Sequence, residues 1–91
     1  MHTLNIEHAS LNSNGLARVC SNSGCKRTLK RGVVCWDRQL DSSKSHHLFY
    51  HANCVIPSMR TDIIAGDFGH GGVTQGEIAR VVRIAKEEEG N

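Results

Sequence analysis

Cys20, Cys25, His51 and Cys54 form the pattern C-x4-C-x25-H-x2-C within a chain of 91 residues. Two close ligand pairs separated by a long segment are how tetrahedral zinc sites are built. Three thiolates and one imidazole close the coordination shell and leave no position for water, so the chemistry is structural rather than catalytic. Four cysteines also suit two disulfides, but that needs a secretory setting. Met1 to Ser10 lacks the apolar stretch of a signal peptide, which predicts a soluble intracellular protein and a reducing compartment, where clustered thiols beside histidines favour a metal. Cys35 competes for a place, since zinc also accepts four thiolates. Between Val34 and Trp36 on an apolar strand it reads instead as a small buried hydrophobe. His46 and His47 lack the i, i+3 relation that His51 has to Cys54, and His2, His8 and His70 read as exposed.

These ligands need elements to hold them. Thr3 to Ala9 alternates weakly and predicts an edge strand. Asn12-Ser13-Asn14-Gly15 is a turn, and Leu16 to Val19 delivers Cys20. Ser21-Asn22-Ser23-Gly24 supplies the tight knuckle before Cys25. Gly32 to Trp36 reads as a strand, Asp37 to Ser45 as an exposed loop, and His47 to His51 as the return strand of a hairpin. A short helical stretch is expected after Cys54 up to Pro57, with the H-x2-C pair on one side of a helical turn. A glycine-rich loop follows over Gly66 to Gly72. Thr74 and Glu77 form a capping box for a final helix whose inner face is Ile78, Val81, Val82 and Ala85. The fold class is therefore α+β: a small zinc-stapled antiparallel hairpin or sheet with a C-terminal helix.

Composition agrees with a stapled domain. At 10.0 kDa there is room for one domain, and only four large aromatics contribute to its core, so a staple, either disulfides or a metal, is expected. No apolar run reaches the length that spans a bilayer, so no membrane partner is expected. Charge is uneven. Arg18 to Arg60 carries eight basic residues against Asp37 and Asp41, whereas Thr61 to Asn91 carries six acids against three bases. A basic segment around the ligands suits a polyanionic partner.

Ile6 to Cys20 (IEHASLNSNGLARVC), the Lys30-Arg31-Gly32 lead-in to a strand, and Phe49-Tyr50-His51-Ala52-Asn53-Cys54 together resemble a PARP-type zinc finger. That family occurs in poly(ADP-ribose) polymerases and a nuclear DNA ligase. Ile64-Ala65-Gly66-Asp67-Phe68 is similar to its segment after the metal site, so the resemblance runs from about Leu4 to Ala85. It implies one structural zinc, a nuclear location and binding to DNA nicks, gaps or ends with little regard to base sequence. The basic surface that such binding requires is expected from Arg18, Lys26, Arg27, Lys30, Arg31, Arg38 and Lys44. Leu40, at the position where the family often carries Phe before Asp, would be the apolar cover for a terminal base pair. Trp36 reads as hairpin core rather than as a base-stacking residue.

Three differences from the family pattern concern the ligand knuckle and the DNA contacts. The knuckle is C-x4-C rather than C-x2-C. Arg18 precedes Cys20 by two residues where the family arginine precedes it by three. Cys35 stands where the family has an arginine ten residues after the second cysteine. A zinc-stabilised protein-interaction module, using the acidic C-terminal helix to recruit a protein partner, is the alternative. An enzyme is not expected: a Cys54–His51 nucleophilic pair would have to be free of metal, and no oxyanion-stabilising element accompanies it.

Overall fold

Leu4 and Ile6 alternate with Asn5 and Glu7, and this period of two forms β1 (Leu4–His8), with both apolar residues buried. The computed structural model of the chain describes residues 3–40 and 46–89. After β1 come β2 (Arg18–Val19), β3 (Thr28–Leu29), β4 (Val34–Gln39), β5 (His47–His51), α1 (Pro57–Ala65), β6 (Gly69–His70) and α2 (Gln75–Glu89).

The main sheet has the order β5-β4-β1-β6, and β2 and β3 pair separately. β1 therefore lies inside the sheet and is not the edge strand its weak alternation suggested. It pairs antiparallel with β4, Ile6 opposite Trp36, and parallel with β6 through Asn5 and Ile6. The glycine-rich segment thus contributes a strand, and the otherwise antiparallel sheet gains one parallel edge. β4 and β5 form the expected hairpin, with Cys35 opposite His51 and Trp36 opposite Tyr50. Asp37 to Gln39 continue β4 instead of starting the loop, because each faces a partner on β5.

Directly paired residues share a face, so the sheet has two different sides. Leu4, Ile6, Val34, Trp36 and Tyr50 pack with Met59 and Ile63 of α1 and Val81 and Ala85 of α2. Trp36 is fully buried, in agreement with its reading as core, and meets Phe68 edge-on with ring centroids 5.2 Å apart. The other side carries a smaller cluster of Ala9, Leu29 and Cys35, with Phe49 packed against it.

Pro57 opens α1 rather than ending a helix. At the first helical position its missing N–H is one that would lack an intrahelical partner anyway. Gly66 then stops the helix at φ 77°. Its N–H bonds to the Ile63 carbonyl and the Asp67 N–H to the Asp62 carbonyl, a closure that glycine adopts without steric cost. The capping box of α2 forms as expected: Glu77 N–H donates to Thr74 Oγ1 at 3.2 Å, and Thr74 N–H donates to Glu77 Oε1 at 3.0 Å.

Candidate metal centre

The knuckle grows from β2 and β3. Cys20 N–H bonds to the Arg27 carbonyl, and the chain reverses around Asn22. The Asn22 side-chain oxygen accepts Gly24 N–H at 2.8 Å, while its carbonyl accepts Cys25 N–H at 2.9 Å and Lys26 N–H at 3.2 Å. Lys26, not a knuckle glycine, takes the left-handed conformation, at φ 57°. The second ligand pair sits where β5 ends. His51 is its last residue, and Cys54 N–H returns to the His51 carbonyl at 3.0 Å. This is a turn leaving a strand; the expected helical turn does not form, because α1 begins only at Pro57. Ser21 N–H bonds to the Phe49 carbonyl and holds the knuckle against β5.

The three sulfurs and one ring nitrogen of Cys20, Cys25, His51 and Cys54 all lie within 4.8 Å of one another. His51 Nδ1 is 3.4 Å from Cys25 Sγ and 3.9 Å from Cys54 Sγ. Around a zinc with bonds of about 2.3 Å to sulfur and 2.0 Å to nitrogen, tetrahedral neighbours are about 3.5–3.8 Å apart. The donor set and its spacing fit one structural zinc. The other imidazole nitrogen supports this: Nε2 is 3.2 Å from the Thr28 carbonyl. With Nδ1 on the metal, Nε2 carries the hydrogen and donates to that carbonyl, which sets the tautomer and the ring plane. Asn22 Nδ2 donates to the Cys54 carbonyl at 2.9 Å and joins the two halves of the site.

The local field favours a thiolate at Cys25. The Arg27 N–H pointing at its sulfur, helped by the Arg27 side chain, lowers its pKa to about 6. Burial, together with the adjoining Cys25 and Cys20 sulfurs, pushes Cys54 up to about 12. Sulfurs this close do not all ionise without a cation between them, and zinc supplies that charge.

Cys35 lies outside the site. It is fully buried beside Ala9, Leu29 and Phe49, and burial first, then the Glu7 and Asp37 charges, push its thiol up to about 12. Cys35→Ser is therefore expected to fold and keep one zinc. The buried hydroxyl should cost about 1–3 kcal/mol, read by denaturant titration alongside metal analysis. Loss of the metal in this variant would bring Cys35 back among the ligands. The remaining described histidines have other surroundings, and His2 lies outside the described residues. His47 Nδ1 is 2.7 Å from Asp37 Oδ1, His8 Nε2 is 3.1 Å from Glu77 Oε2, and His46 and His70 are exposed.

The basic residues divide into two groups. Lys26, Arg27, Lys30 and Arg31 are exposed on the knuckle and the lead-in to β4. Arg27 and Lys30 line a groove of about 420 Å³ together with Val33, Asn53 and the ligands His51 and Cys54. Arg18 is half-buried, its guanidinium 4.2 Å from the centre of the Phe49 ring. Arg38 and the exposed Leu40 belong to the far end of β4, about 10 and 16 Å along the chain from Cys35. Lys44 lies outside the described residues.

Asn22 and the Thr28 carbonyl were not singled out by sequence reasoning. An asparagine inside a knuckle is a turn signal that points to Asn22, whereas a backbone acceptor leaves no trace in side-chain type. Comparison with protein-family models, curated proteins and solved structures finds no match to this chain. Among the described residues, no helix is long and apolar enough to cross a membrane.

Proposed function

We propose that this zinc-dependent module is a non-catalytic DNA-binding finger of the PARP type, acting in the nucleus and recognising strand breaks or ends without reading base sequence. The observation that carries this reading is the position of Lys26, Arg27, Lys30 and Arg31. All four are exposed on the stretch between the second cysteine and β4, the part of the chain that the metal ties down. A rigid row of cations next to a groove suits a phosphate backbone, since phosphate contacts need position and charge but no base-edge code. Leu40, 53% exposed, supplies an apolar side chain for the open face of a terminal base pair. The resemblance of Phe49 to Cys54 to the family closure points the same way.

Arg18 is a poor probe of this interface, because its stacking on Phe49 mixes packing with charge. Lys30 and Arg31 are exposed and carry charge at the surface. Lys30→Ala with Arg31→Ala should leave zinc content unchanged and weaken binding to nicked duplex about tenfold at low salt. The slope of affinity against salt should fall by about one for each phosphate that is no longer neutralised. Titration of nicked and intact duplex at two salt concentrations checks both. Unchanged affinity in the double variant removes these residues from the interface. Absence of binding by the native protein at low salt points instead to the protein-interaction module.

A further inference from the structure

Away from the metal, a second cavity of about 240 Å³ opens between the start of β1, the end of β4 and the first turns of α1. Leu4 and Met59, each 2% exposed, lie at its base, Thr3, Gln39 and Ser58 bring polar groups to its wall, and the exposed Leu40 borders it. Arg38 and Asp62 line the same space, yet among the described residues neither side chain has an ion-pair or hydrogen-bond partner. Unpaired opposite charges in one small cavity of mixed polar and apolar lining suit an occupant that presents donors to the carboxylate and acceptors to the guanidinium. The volume falls below the roughly 300–1,000 Å³ of sites for drug-sized ligands, so the occupant is smaller than a whole nucleotide.

We propose that this cavity takes a single unpaired guanine base at a strand end. Guanine offers two adjacent donors, N1–H and the N2 amino group, to one carboxylate, and two adjacent acceptors, O6 and N7, to one guanidinium. Adenine and cytosine each bring a single amino group, and thymine a single N–H. Apolar side chains against the ring faces and hydrogen bonds to the ring edge are how extruded bases are read. The choice of a base over other small planar molecules rests on the strand-break reading above. There Leu40 covers the last base pair, so a nucleotide beyond that pair lies next to the cavity.

Two measurements on the full chain test this, each with the native protein and Asp62→Asn. The substitution keeps shape, and the Asp62 side chain has no partner among the described residues, so circular dichroism and zinc content should not change. In saturation-transfer NMR, guanosine should receive magnetisation from the native protein in preference to adenosine, and the preference should vanish in Asp62→Asn. In titrations of duplexes with a one-nucleotide extension, dG should bind about tenfold tighter than dA or dT, the discrimination expected of a good bidentate pairing. The variant should bring these affinities to within about twofold of each other, a ratio that a uniform change in charge does not move. Equal transfer to both nucleosides, or a dG preference that survives in Asp62→Asn, overturns the assignment. Equal affinity for all extensions overturns the placement at a strand end. Guanosine selectivity in a protein that binds none of the duplexes keeps the cavity assignment and overturns the strand-break reading.

Discussion

Chelation of zinc at neutral pH is expected to unfold the domain. A structural zinc in a small finger contributes of order 10 kcal/mol, comparable with the roughly 5–15 kcal/mol by which whole domains are stable. The geometry gives this ion wide reach. Cys20 is 1% exposed and belongs to the main core, with Cys25 and Cys54 packed against it, so releasing the ligands also loosens apolar packing. The β2–β3 pair has only two residues in each strand and cannot persist without the link to His51 and Cys54. His51→Ala should have the same result, because it removes both a ligand and the bond to the Thr28 carbonyl that spans β5 and β3. Far-ultraviolet circular dichroism with metal analysis reads the outcome. A metal-free protein with an unchanged spectrum would contradict the role given to the ion.

Trp36→Ala is expected to be the most damaging change away from the metal. The indole is fully buried between Ile6 and Tyr50 on neighbouring strands and meets Phe68 edge-on. Removing it should cost about 3–5 kcal/mol through the packing that disappears and the cavity left behind. At about 4–8 °C per kcal/mol for a domain of this size, the melting temperature should fall by about 12–40 °C with zinc in excess. Trp36→Phe should be much milder. Its ring retains the meeting with Phe68, and it removes an indole N–H that is buried with no hydrogen-bond partner among the described residues, which offsets part of the reduced area. Thermal melts of the two variants separate packing from polarity. Equal destabilisation by both would show that the N–H matters more than the ring.

The features legible in the sequence were those set by neighbours along the chain. Four ligands in two close pairs, the Thr74–Glu77 box and the turn-bounded strands before and after residues 41–45 each depend on spacing within a few residues. The apolar neighbours Val34 and Trp36 leaned against Cys35 as a ligand, and the fold decided it by burying Cys35 outside the cluster. What lies far apart in sequence was decided only by the fold. Nothing local marks β1 as an interior strand, because its second neighbour, β6, has two residues, too few for any periodicity. Pro57 reads equally as the end or the beginning of a helix until the chain before it leaves a strand through a turn. The basic residues are grouped between Arg18 and Arg60 in the sequence, yet β4 carries Arg38 about 10 Å along the strand from Cys35, while Lys26 to Arg31 stay beside the metal ligands. Local hydrogen bonds and side-chain type act over a turn or two of chain, whereas strand neighbours and shared cavities arise from burying apolar surface contributed by residues dozens of positions apart.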